Sequence, residues 1–174
     1  MEPARRRAAR AQLIRALVIS GLLVVVYFLA PVEPAATGAR ALVRAALAVA
    51  GLVVVAVLVA RLAVRLLRDE SGTGAAALLV ALVGGVVMFA FVDYLVALSR
   101  PDQFADLETK TDGLYFAVTT LTTTGFGDVH ARGELARALV TVQMVYNIAV
   151  IATGASALVN RLTTRRREPP GPRR

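Results

Sequence analysis

Four stretches of this 174-residue chain carry no charged side chain: residues 16–32, 45–60, 71–92 and 138–160. A helix needs about 20 predominantly apolar residues, within a range of about 17–25, to cross the hydrocarbon core of a bilayer. The third and fourth stretches meet that length outright. The first reaches it with Leu13 and Ile14 once the Arg15 side chain extends toward the headgroups, and the second reaches it over residues 41–67 with Arg44 and Arg61 doing the same. The pattern predicts four spanning helices. Hydrophobic residues make up 57% of the chain, above the roughly 45–50% of soluble domains, which excludes disorder over most of its length. The absence of cysteine excludes a disulfide scaffold.

The arginines orient the spans. With both termini in the cytoplasm, 14 of the 20 basic residues lie inside, among them Arg5, Arg6, Arg7 and Arg10, then Arg61, Arg65 and Arg68, and finally the cluster from Arg161 to Arg174. Six lie outside: Arg40, Arg44, Arg100, Lys110, Arg132 and Arg137. Lys and Arg concentrate on the cytoplasmic side of membrane proteins, so this arrangement is expected, in a multi-pass protein of the plasma membrane. A net charge of +8 would suggest nucleic acid if the arginines shared one soluble face. Set between apolar stretches, they point instead to anionic lipid at a basic cytoplasmic collar, with no nucleic-acid partner. The first basic cluster also resembles the start of a cleaved signal peptide, but it serves equally as a cytoplasmic anchor. Arg61, Arg65 and Arg68 have the spacing of a voltage sensor; they occupy the inner end of a span, and two preceding spans are too few for a four-helix sensor.

The connection between the last two spans differs from the others. It runs over 39 residues, 99–137, well beyond the ~12–15 of an ordinary loop. Residues 100–110 are polar and acidic. Thr111 and Asp112 form an N-cap pair, and an apolar stretch of about ten residues follows, about 15 Å of helix, too short to cross a bilayer. It ends in Thr123-Thr124-Gly125-Phe126-Gly127-Asp128. A half-membrane helix followed by a glycine-punctuated strand reads as a re-entrant loop, which is tolerated at membrane depth only where protein buries it or it lines a wet pore.

Residues 115–128, YFAVTTLTTTGFGD, resemble the pore helix and selectivity filter of potassium channels, whose filter sequence is TVGYG. The wider plan of helix, pore loop and helix, roughly residues 75–162, is similar to the bacterial one-pore-loop channels, with two further spans in front. The resemblance implies that carbonyls of Thr123, Thr124, Gly125 and Phe126 form the ion sites, with Gly127 and Asp128 completing the filter. Tyr115, Phe116 and Thr119 would support it. One chain supplies one strip of carbonyls, so four copies are implied around a single pore, with the fourth span innermost. The physics agrees. A dehydrating potassium ion needs oxygens in place of water, and Gly125 and Gly127 permit the left-handed backbone angles that turn carbonyls toward one axis. Phe126 stands where the family commonly has Tyr, and Tyr115 and Phe116 where it often has Trp. A hydrogen bond from pore helix to filter wall is therefore expected to be missing. Thr124, in place of Val, is expected to bond within the pore-helix wall.

Several other residues carry expectations. Asn147 lies 24 residues after Thr123, where relatives carry a hinge glycine. It reads either as a polar ring in a water-filled cavity or as an interhelical hydrogen bond worth about 1 kcal/mol. Gln143 is one turn away on the same face. With Ile151, Gly154 and Ala155 these are the cavity and gate candidates. Asp93 is roughly 9 Å below the outer end of its span. A buried acid there is costly, and Arg44 or Arg100 is expected to pair with it. Gly84 and Gly85 are expected to admit a closely packed neighbour. His130, the chain's single histidine, falls just outside the filter and is open to a pH-sensing role.

The expected protein is an all-α membrane protein: four transmembrane helices plus a re-entrant pore helix and filter, assembled as a homotetramer. It divides into a basic N-terminus (1–12), two peripheral helices (13–70), a pore domain (71–164) and a basic Pro-rich tail (165–174). The expected function is passive potassium conduction, with potassium as permeant ion at the filter, no cofactor and no enzymatic reaction. A channel passing sodium as well as potassium, a pore-loop subunit of a cation transporter, and a non-conducting scaffold with a vestigial filter are the rivals.

Overall fold

The computed structural model describes residues 2–30 and 74–167. The described residues form four helices: α1 (Glu2–Leu29), α2 (Gly74–Ser99), α3 (Lys110–Leu121) and α4 (Glu134–Arg167). Two two-residue strands, β1 (Phe104–Ala105) and β2 (His130–Ala131), flank α3. Among the described residues, three segments are long and apolar enough to cross a membrane, Arg10–Leu29, Ala75–Ser99 and Glu134–Ser156. The second expected span, over 41–67, lies outside the described residues, as does most of the 165–174 tail.

The burial pattern is inverted relative to a soluble protein. On α1, Ala16, Ser20 and Tyr27 form one buried stripe, while Leu17, Val18, Leu22 and Val26 are exposed. On α4, Gln143 and Asn147 are buried and Val142, Val145 and Ile148 are exposed. Exposed aliphatic faces on helices of this length suit hydrocarbon. The α2 helix lies between α1 and α4. Its Gly85 leaves the space occupied by the Tyr146 ring, and the Tyr146 hydroxyl donates to the Ala81 carbonyl at 2.7 Å. The close neighbour at Gly85 is therefore α4 of the same chain.

Between α2 and α4 the chain folds a small outer cap. Strands β1 and β2 pair antiparallel, Phe104 opposite Ala131 and Ala105 opposite His130. The Gln103 carbonyl accepts from Arg132 N and Gly133 N at 2.8 and 3.0 Å. Its side-chain Oε1 accepts from Ala136 N at 3.3 Å, satisfying one of the orphan amides in the first turn of α4. Phe104, Leu107, Phe116, Val129 and Val140 close over a shared apolar core. The stretch expected to be simply polar and acidic thus buries Phe104, Ala105 and Leu107.

The start of α3 also differs from expectation. Its cap is Thr109, two residues earlier than the Thr111-Asp112 pair. Thr109 and Asp112 form a reciprocal capping box, with Asp112 N donating to Thr109 Oγ1 at 3.2 Å and Thr109 N donating to Asp112 Oδ2 at 2.7 Å. The spacing of three residues is what lets the two side chains reach each other's amides; adjacent residues do not. The Glu108 amide also donates to Asp112. Burial alone would raise the Asp112 pKa, but these hydrogen bonds from Thr109 and Glu108 outweigh it and hold the carboxyl below its ordinary range.

Candidate functional site

Helix α3 is 12 residues long, about 18 Å, and enters the fold without crossing it. Its last turn is rich in threonine, and those hydroxyls bond back into the helix. Thr119 Oγ1 and Thr120 Oγ1 donate to the Phe116 carbonyl at 3.0 and 2.8 Å, and Thr122 Oγ1 donates to the Val118 carbonyl at 3.0 Å. These local bonds satisfy the hydroxyls without drawing on the residues that follow. The Thr124 hydroxyl meets that of Thr122 at 2.9 Å.

The backbone then changes character. Thr123, Gly125 and Gly127 have φ of 57°, 54° and 83°, while Thr124 and Phe126 between them stay at negative φ. In an extended strand successive carbonyls face opposite sides. Alternating the hand of successive residues can cancel that reversal, and this is the φ pattern of residues 123–127. A Cβ built at Gly125 or Gly127 meets nothing within 4 Å in this chain. Glycine is needed there for the left-handed angle, which costs an L-residue about 1–2 kcal/mol, and not for room inside the subunit. Thr123 takes the same angle without being glycine, and composition gave no signal of it.

The strip is held from behind. The Tyr115 hydroxyl donates to Asp128 Oδ2 at 2.8 Å, and the Tyr115 ring stacks on Phe126 with centroids 6.2 Å apart and planes 9° from parallel. The expectation that substituting Trp removes the hydrogen bond from pore helix to filter wall is thus wrong. A tyrosine hydroxyl reaches the carboxylate because α3 and the strip run back alongside each other over 13 residues. Accepting this bond, and one from the Val129 amide, lowers the Asp128 pKa, and the same bond raises that of Tyr115. His130 Nδ1 lies 3.0 Å from the Gly127 carbonyl. A carbonyl only accepts, so Nδ1 carries the proton in that contact.

The other candidate residues divide between inside and outside. Phe116 is buried against Phe104, edge to face at 5.7 Å, and so props α3 from the outer cap and does not stack on the strip. Thr119 is buried beneath the helix end. Gln143 and Asn147 are buried, and Asn147 Nδ2 and Gln143 Oε1 have no hydrogen-bond partner among the described residues. Ile151 is exposed, Gly154 lies against Leu78 of α2 and Ala155 is exposed. Asp93 is fully buried, and neither carboxyl oxygen has a hydrogen-bond partner among the described residues. The pair expected with Arg100 does not form, because Arg100 lies past the end of α2 and is exposed; Arg44 lies outside the described residues. A groove of about 650 Å³ runs between α3, the strip and α4, lined by Thr119, Thr123, Gly125, Met144, Asn147 and Ile148 among others.

A short apolar helix, a strip of alternating hand and two flanking spans form the pattern of an ion pathway. A family model described as ion channel matches residues 76–164, just over half of the chain. The chain belongs to the ion channel family. No curated protein and no solved structure matches it. The matched part of this channel holds α2, the outer cap, α3, the strip and most of α4, and leaves α1 outside it. Membership, with its long apolar helices, makes it a membrane protein with a channel's role.

Proposed function

We propose that this channel is a potassium-selective pore formed by four copies, with the carbonyls of Thr123, Thr124, Gly125 and Phe126 as the ion sites. The observation that carries the reading is the alternation of hand over 123–127 directly after a half-membrane helix. Directed to one side, the four carbonyls offer a column of oxygens able to replace a hydration shell. A single strip covers one side of an ion, and fourfold repetition closes the rings. The exposed apolar residues beside the groove, Met144, Ile148 and Ile151, are the surface against which a second copy would bury its own pore helix. Charge asymmetry along the sequence supports cytoplasmic termini in the plasma membrane, with the basic collar against anionic lipid. Potassium needs no cofactor to pass.

Purified protein in potassium-loaded vesicles tests the reading. Radioactive rubidium should accumulate inside, drawn in by the potential that outward potassium flow creates, and native mass measurement should give four chains per complex. Uptake of radioactive sodium as fast as rubidium would install the weakly selective channel in its place. A stable monomer or dimer would remove the shared pore altogether.

A further inference from the structure

The top of α1 is fastened to the start of the pore helix by four hydrogen bonds across more than 80 residues of sequence. The Lys110 ammonium donates to the carbonyls of Tyr27, Phe28 and Ala30 at 3.2, 3.0 and 2.5 Å. These are carbonyls of the last turn of α1 and the residue beyond it, which have no acceptor role inside the helix. In return the Tyr27 hydroxyl donates to the Lys110 carbonyl at 2.6 Å. Tyr27 is almost wholly buried, and its ring meets Phe91 of α2 edge on at 6.1 Å. A Cβ at Gly113 would lie 2.8 Å from the Ala90 carbonyl and 3.1 Å from the Tyr27 hydroxyl. Glycine there lets the first turn of α3 sit directly on both α1 and α2.

Lys110 is the only lysine among 20 basic residues. Its ammonium is a compact charge with three donors, which matches three carbonyls converging from a helix end. A cation is also favoured at the negative end of a helix dipole. Five residues further along the same helix, Tyr115 holds Asp128 behind the strip. Lys110, α3, Tyr115 and Asp128 therefore make one continuous connection from the end of α1 to the filter.

We infer that α1 is a positioning arm for the filter, and that Lys110 and Tyr27 are positioning residues that act through the pore helix. The inference rests on the proposed filter for its functional meaning, but the connection is measurable without conduction. Without the clamp, the start of α3 keeps its capping box and its contact with α2. It loses the support that fixes its direction, and the strip at its other end loosens.

Hydrogen exchange of the full-length protein in detergent micelles tests this, read on the amides of 122–130. Lys110→Met should speed that exchange about tenfold, the scale of losing a charge-assisted hydrogen bond. Lys110→Arg, which still donates, should restore it to within about twofold. In vesicles Lys110→Met should shorten the time the filter stays conducting by a similar factor. Unchanged exchange over 122–130 in Lys110→Met overturns the inference. So does an equal rise along α2 and α4, since that is general loosening. If Lys110→Met fails to assemble, Tyr27→Phe removes one bond and should speed exchange about threefold; no change there overturns the inference equally. A wild-type protein that carries no potassium would defeat the proposed function and leave the exchange result standing.

Discussion

The outer cap with its pore loop and the packed interior between the helices treat polar groups in opposite ways. In the loop, Thr109 and Asp112 cap one another, Tyr115 bonds Asp128, His130 meets Gly127 and Gln103 caps α4. Between the helices, Ser20, Asp93, Gln143 and Asn147 each bury at least one polar atom without a partner among the described residues. Orphaned buried polar atoms cost about 1–3 kcal/mol each. The loop is thus a unit that one chain can complete by itself, stapled by local hydrogen bonds. The helix interior is not complete in that sense, and its polar groups gain only when water, another copy or another segment reaches them.

The largest effect should come from the strip. Gly127→Ala forces a side chain into the left-handed region at a cost of about 1–2 kcal/mol per chain, repeated in each of the four chains of the proposed tetramer, and should abolish rubidium uptake while the complex stays assembled. Normal uptake would show that the hand of this residue does not matter to conduction. Next is the bond behind the strip. Asp128 has a folded pKa below its unfolded value, so its bond to Tyr115 stabilises the filter above the ordinary carboxylate pKa of about 3.9. That support is lost as outer pH falls through the lower folded value. Filter closure should therefore accelerate at the acid end of an outer-pH titration, and Tyr115→Phe should close fast at every pH. A wild-type profile in Tyr115→Phe would mean that stacking on Phe126 alone holds the wall.

Two aspartates sharpen the contrast further. Thr109→Ala removes the partner of Asp112 and should cost about 1 kcal/mol of stability, the usual worth of an N-cap. It is readable as a lower melting temperature in detergent. Asp93→Asn replaces a buried carboxyl that has no partner among the described residues, and should leave the melting temperature unchanged or raise it. A large loss at Asp93 would show that a group outside the described residues holds it. The smallest expected change is at Asn147. Asn147→Asp in a wet cavity should strengthen block by internal magnesium several-fold, whereas an acid buried between helices should reduce the yield of assembled complex.

What could be read from the sequence was local or periodic. Charge-free length located α1, α2 and α4, and the TTGFGD segment with the apolar stretch before it located α3 and the strip. Gly125 and Gly127 marked their own left-handed angles, because few other residues adopt them. The contacts that went unread join distant residues. Nothing near Tyr27 announces Lys110 some 80 positions away. The Tyr115 bond depends on how closely α3 and the strip run alongside each other. The β1–β2 pairing of two residues each is too short for alternation to show. The high cost of burying a bare carboxyl predicts a partner for Asp93, and among the described residues it has none.

The central claim is that the strip selects potassium. A single recording across a planar bilayer, with potassium on one side and an equal concentration of sodium on the other, tests it most directly. The account expects a reversal potential displaced far toward the potassium equilibrium value, and loss of the current in Gly125→Ala. A reversal potential near zero with robust current would contradict it, because the column of carbonyls would then be passing both ions alike.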